Sequence, residues 1–345
     1  MEPLLDRILF SVEDDLYRWS DAALWAHLRG RWAVVQRQAR QGLACVQRQA
    51  EEDHALGEEG VRSLGEAFRY ERNLLSADET VEWLNHHDLD ESDWIGYIRR
   101  LHLRDLWADE LERIVERYPP SVEELDAVVL AEAVCSRILN RAAEELAGRV
   151  AVGLRIEAND ETASLVTGAV AEAGPPRIPG LDPAAAADRM RTLATIDILA
   201  GRALEAAVTR EAIEREVASN ALTWMSFACT TAYLADPDAG REVVAQIREG
   251  RDLAEVASEA GSQAASGRVF LDAVSADLAD RLVGVAEGDI LGPLATSEGW
   301  LVLVVDRRVE PSADDAEVRD RASDAIRTRL EEREKNAMVR WHERL

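Results

Sequence analysis

Few residues of this chain have types and spacing that could do chemistry. His86, His87 and Asp88 stand together. A structural or catalytic metal needs three or four ligands converging on one point. Adjacent residues at a helix end point in different directions, and no third ligand has a suitable spacing, so these histidines read as structural or solvated. Cys229 lies in an apolar run, where the reactive thiolate form is disfavoured, so it reads as core. Cys45, Cys135 and Cys229 are odd in number and share no close spacing. They predict reduced thiols and no disulfide framework. There is no Gly-x-Gly-x-x-Gly, phosphate loop, zinc-finger spacing or nucleophile elbow. Lys335, the only lysine, sits among charges near the C-terminus, which argues against Schiff-base chemistry. The expectation is no metal, no cofactor and no catalytic side chain.

The stretch Leu222–Val309 has the most definite pattern. It opens with the apolar run 222–234. Asp236-Pro237 then reads as a helix start, with Asp as the cap and Pro at the first helical position. A helix carrying Val243, Ile247 and Leu253 runs to Ala257, interrupted by Gly250. A Gly/Ser loop with Gly261, Ser266 and Gly267 precedes the short strand Val269-Phe270-Leu271. A helix around Leu278 and Leu282 follows, then Gly288-Asp-Ile-Leu-Gly-Pro293 and Thr296-Ser-Glu-Gly299. The β-rich run Trp300–Val305 closes it. Strand, helices, strand, helix, turn and strand in this order predict one small α+β domain.

This series resembles a parvulin-type peptidyl-prolyl isomerase domain. The matching pieces are Glu249-Gly250-Arg251-Asp252-Leu253-Ala254, Ser266-Gly267-Arg268-Val269-Phe270, Gly288-Asp289-Ile290-Leu291-Gly292-Pro293 and Thr296-Ser297-Glu298-Gly299-Trp300. Active parvulins resemble one another in a histidine on the first strand and another just after the Gly-aromatic pair on the last. This chain offers Phe227, Cys229 and Thr231 on the first and Leu301 after Trp300, and no histidine lies between His102 and His342. The resemblance implies a peptide-binding groove that includes Phe227, Cys229, Thr231, Phe270, Leu278, Leu282, Thr296 and Trp300. A divergent isomerase would use Cys229, Thr231 or Thr296 as polar groups around a proline pocket of Phe270 and Trp300.

The elements around this stretch read as helical. Residues 1–115 predict helices, one capped at Ser20-Asp21 with Leu24, Trp25, Leu28 and Trp32 on one face. A glutamine-rich helix continues through Val46 and Leu56. Ser76-Ala-Asp-Glu79 and Ser121-x-x-Glu124 are capping boxes, and Asp90–Asp93 caps a further helix. Phe68-Arg-Tyr-Glu-Arg-Asn-Leu-Leu75, with Trp83, Leu84, Leu89 and Trp94, resembles the helical chaperone modules of SurA-like and trigger-factor-like proteins. The tryptophans concentrated here read mostly as core, with one or two suited to a peptide cradle. A Gly/Pro-rich linker is expected at about 169–183. After Pro311, Val318, Ala322, Ile326, Leu330, Met338, Trp341 and Leu345 recur at helical spacing. As in SurA-like proteins, this helix is expected to pack back on the N-terminal helices; the alternative is a dimer contact.

The expected architecture is therefore α+β: a helical SurA-N-like region over 1–220, a parvulin-like domain over 221–310 and a C-terminal helix over 311–345. A net charge of −26 on 345 residues argues against nucleic acid and anionic membrane as partners. The acidic N-terminus without a long apolar core, and the lack of any apolar run near the roughly 20 residues that span a bilayer, point to a cytoplasmic protein. The expected client is an unfolded or extended peptide, held by a monomer or homodimer. The resemblance extends to parvulin-related proteins of bacterial peptide-maturation systems, where the client would be a precursor peptide. Two readings stand: a peptide chaperone whose parvulin-like domain has lost its histidines, and a divergent prolyl isomerase.

Overall fold

A computed structural model describes residues 2–52, 58–154 and 156–343. Leu56 and Leu345, expected on helix faces, lie outside these. The chain divides into two compact units. One comprises residues 1–205 and 330–345, the other 206–329.

The first unit is mainly helical. It contains β1 (Ile8–Val12), β2 (Asp15–Arg18), α1 (Trp19–Leu28), α2 (Arg31–Glu51), α3 (Glu58–Glu71), α4 (Ala77–His86) and α5 (Glu91–Leu106). It continues with α6 (Leu111–Arg117), α7 (Val122–Cys135), α8 (Ile138–Gly153), α9 (Asp160–Ala173) and most of α10 (Pro183–Ala207). The helix starts follow the caps. Ser76 and Glu79, Asp90 and Asp93, and Ser121 and Glu124 each form a reciprocal capping box. At α1 the cap position is Arg18, and Asp21 instead accepts from the Arg18 backbone N–H at 2.8 Å. The non-helical stretch between α9 and α10 is 174–182, shorter than the expected linker, because α9 continues to Ala173.

An entirely helical N-terminus is not what forms. β1 pairs antiparallel with β2, and its other edge pairs with β7 (Val339–Trp341), so Phe10 stands opposite Trp341. These strands are too short for a period to show in sequence. The C-terminal segment does return to this unit. Met338 and Val339 pack on its main core, which includes Trp19, Trp25 and Trp32, and Glu331 pairs with Arg149 at 2.9 Å.

Beneath α5 lies an ion cluster. Glu132 of α7, with no exposed surface, accepts from Arg100 Nε at 3.1 Å and from Arg104 Nη1 at 2.8 Å. Gly42 makes room for it, since a Cβ there would meet Arg100 Cβ at 2.7 Å. His87 is buried as well. Its Nδ1 lies 2.8 Å from the Trp83 carbonyl, which can only accept, so the neutral ring carries its proton there.

The second unit comprises the end of α10, α11 (Arg210–Ser219), β3 (Ser226–Leu234), α12 (Pro237–Arg248), α13 (Leu253–Glu259), β4 (Ala264–Phe270), α14 (Ala276–Val283), β5 (Ile290–Thr296), β6 (Gly299–Val309) and the first part of α15 (Ala316–Met338). Its four strands form an antiparallel sheet in the order β4-β3-β6-β5. The first strand starts at Ser226, not Leu222, and β4 is longer than the expected 269–271. Asp236 caps α12 through the N–H groups of Asp238 and Ala239, with Pro237 at the first position as expected.

Two outcomes test the helical unit. Glu132→Ala leaves two buried guanidinium groups unpaired and lowers stability by about 3–5 kcal/mol, whereas Arg100→Met/Glu132→Leu/Arg104→Met stays near the parent; denaturant titration separates them. Burial depresses the His87 pKa from 6.5 to about 4. The unfolded chain therefore binds more protons between these values. Stability holds above pH 6.5 and falls towards pH 4 by as much as about 1.4 kcal/mol per pH unit. His87→Leu, followed over the same range, shows a shallower slope.

Candidate functional site: one face of the four-stranded sheet

Strand residues alternate between faces, and directly paired residues share a face. Phe227, Cys229, Thr231 and Tyr233 of β3 therefore lie on one side. Val305, Leu303 and Leu301 of β6 are paired with the last three of these in turn. Val269, Gly267 and Ala265 join from β4, and Leu291 and Leu294 from β5. The opposite face carries Ala232, Leu234 and Val302, which pack with Val243, Val244, Leu253 and Val256 of α12 and α13.

α14 covers only one end of the first face. Phe227, Cys229, Leu303 and Val305 are buried there with Leu282, and Leu278 packs at the margin. Beyond α14 the face is open: Thr231 and Leu294 are half-buried, Ala265 is exposed, and Tyr233 keeps 43% of its surface accessible above the buried Leu301. The Thr231 hydroxyl donates to the Ala265 carbonyl at 3.2 Å. Burial, with the Asp306 carboxylate adding to it, pushes the Cys229 thiol up to about 11, so it stays protonated at neutral pH. Among the described residues of this face there is no histidine and no carboxylate. No group of three His, Cys, Asp or Glu side chains suited to a metal occurs among the described residues.

The eight residues expected to line one groove are divided among five places. Phe227, Cys229 and Leu282 are core and cannot touch a peptide without unpacking. Thr231 and Leu278 border the open face. Trp300 is paired with Leu234 and packs on the α12–α13 side. Thr296 organises the β5–β6 turn, donating to the Gly299 carbonyl at 2.9 Å and accepting from the Glu298 N–H at 3.2 Å. Phe270 is buried with Trp224, Val318 and Ala322. Its ring lies between the guanidinium groups of Arg268 and Arg321, at 4.5 and 4.0 Å, and these pair with Asp315 and Asp272. A proline pocket of Phe270 and Trp300 therefore does not form. Sequence reasoning missed Tyr233, Leu294 and Leu301. Alternation from Thr231 points to Tyr233, but the β5–β6 register is needed for the other two.

A βαα-β-α-ββ order with strands arranged 2-1-4-3 defines the class: a small α+β domain with one helix-covered and one partly open face. The family model of the PPIC-type PPIase domain matches residues 232–320. The chain thus carries a PPIC-type, or parvulin, domain within its second unit. No curated protein matches the sequence. Among solved structures, the chain is similar to the peptidylprolyl isomerase PrsA of Bacillus anthracis, with 12% identity, 56% of this chain and 95% of that chain covered, and a TM-score of 0.31. PrsA of Bacillus subtilis gives 14% identity, 62% and 87% coverage and a TM-score of 0.23. A SurA-like chaperone structure from Campylobacter jejuni gives 10% identity, 66% and 97% coverage and a TM-score of 0.18.

Because Phe270 closes a core cluster, Phe270→Ala lowers the stability of the second unit by about 3–5 kcal/mol. Leu278→Ala, at the margin of the face, costs less; denaturant midpoints of the two variants give the comparison.

Proposed function

We propose that this protein is a peptide-binding chaperone whose PPIC-type domain holds an extended client on the open sheet face without isomerising it. The observation that carries the reading is the composition of that face. Tyr233, Leu294 and Leu278 offer apolar contact over the buried Leu301, the Thr231 hydroxyl is engaged by a backbone carbonyl, and β3 and β6 carry no histidine. Apolar side chains of a client would pack here, and its backbone would pair along a sheet edge, as in strand addition. A precursor peptide awaiting modification is a client of this kind, and a cytoplasmic setting accords with three buried free thiols.

The second reading, a divergent prolyl isomerase, draws on the domain family itself. Such an enzyme must lower a barrier of about 18–20 kcal/mol to amide rotation. A prolyl-peptide isomerisation assay with the full chain separates the two. The expected result is no acceleration over the uncatalysed rate, together with saturable peptide binding. Tyr233→Ala and Leu278→Asp each weaken that binding by roughly tenfold, the equivalent of about 1.4 kcal/mol. Acceleration that these substitutions abolish would instead establish the enzyme.

A further inference from the structure

The four-stranded sheet has two edges, β4 and β5, and the two differ. β5 carries Pro293 and a register shift between Leu291 and Leu294, features that keep a further strand from pairing. α12 also lies against it, since a Cβ on Gly240 would meet Pro293 Cβ at 2.6 Å. β4 has none of this protection. It pairs with β3 over seven consecutive residues without a shift, and it contains no proline and no lysine. Its single charged residue, Arg268, is bonded to Ser226 and Asp315.

Alternation fixes which backbone groups of β4 face outward. The Leu271 N–H donates to the Met225 carbonyl at 3.0 Å, so Val269, Gly267 and Ala265 direct their backbone groups to β3. Ser266 and Arg268 therefore point theirs away from the sheet. Neither makes a backbone hydrogen bond to another element among the described residues. The side chains divide as well. Ala265 and Gly267 belong to the open face, and a Cβ on Gly267 would have nothing within 4 Å. Ser266 lies on the opposite face, where its hydroxyl is 3.2 Å from that of Thr230.

We propose that an extended client segment adds antiparallel to β4, centred on Ser266, with bulky apolar residues two apart lying over Ala265 and Gly267. The inference rests on the peptide-binding reading and adds the edge, the register parity and the client's pattern. The client residue opposite Ser266 exchanges both backbone hydrogen bonds and turns its side chain to the polar face, where serine or threonine fits. Its two neighbours form non-hydrogen-bonded pairs, in which side chains approach most closely. The small side chains of β4 leave room for bulk there, on the same face as Thr231 and Tyr233. The fitting client is thus a strand of alternating apolar and polar residues, not yet paired within its own protein. A second copy fits poorly. β4 set against itself about Ser266 puts Ala265 opposite Gly267, so cross-strand side-chain contact is lost, and two chains of net charge −26 repel.

The test uses the full chain and fluorescein-labelled peptides with the core Thr-Phe-Ser-Val-Thr. Fluorescence anisotropy should show this core binding at least tenfold tighter than the scrambled core Phe-Val-Ser-Thr-Thr. Methylating the serine amide removes a hydrogen bond to β4 and should abolish binding. Methylating the phenylalanine amide, which points away from the sheet, should leave it within about twofold. Ser266→Pro removes an outward N–H, and an edge strand tolerates proline at such a position. It should weaken binding at least tenfold with little change in melting temperature, and Gly267→Lys should do the same. Equal effects of the two methylations, or unchanged binding by both variants, overturn the proposal. If Tyr233→Ala weakens binding while the edge variants and the methylations change nothing, the sheet-face reading survives and this one fails. Absence of saturable binding by any peptide defeats both. Sedimentation showing a dimer that Ser266→Pro dissociates would give the edge to a second copy, which also overturns the proposal.

Discussion

β3 has a hydrogen-bonded strand on each side, so its backbone is fully committed and only its two faces remain to be assigned. Parity then decides every residue. Ala232 and Leu234 face α12 and α13, while Phe227, Cys229, Thr231 and Tyr233 face the other way. A slip of one residue would exchange the two sets, placing Tyr233 in the core and Leu234 in solvent. The open face exists because α14 is only eight residues long and covers one end of the strands. The length of one helix and the register of one strand thus define the surface.

The same constraint explains the fate of the polar groups. Where the parvulin resemblance implies imidazole, the first strand offers only Phe227, Cys229 and Thr231 and the last offers Leu301. Phe227, Cys229 and Leu301 are buried, and the Thr231 hydroxyl is bonded to the neighbouring strand. What remains is a surface with shape and apolarity and little capacity to stabilise charge. Phe270 follows a different logic. It ends β4 at the position where α15 packs, and two arginines close over its ring, so a residue that reads as a ligand contact serves to fix the terminal helix to the sheet.

Much of the fold was legible because its signals are local. Ser76, Asp90, Ser121 and Asp236 each cap a helix with a neighbour two or three residues away, and such bonds leave a fixed pattern in sequence. The order of elements over 222–309 was legible for the same reason. What was not legible depends on partners far along the chain. β1 and β7 make a three-residue match across more than 300 positions, which no window can detect. The candidate site failed in the same way: Phe227 and Cys229 alternate correctly with Thr231, but which end α14 covers is a matter of packing. Trp300 adjoins a glycine that a parvulin pattern makes conspicuous, yet its pairing with Leu234 sends it to the other face.

The pairing of β1 with β7 also sets a timetable for biosynthesis. Phe10 leaves the ribosome long before Trp341 is made, and the outer edge of β1 stays unpaired throughout. At about 5–20 residues per second this interval is roughly a quarter of a minute to a minute. During it, Phe10 and its neighbours present an incomplete sheet to whatever else is nearby. The strand that completes this sheet is therefore among the last parts of the chain to be made.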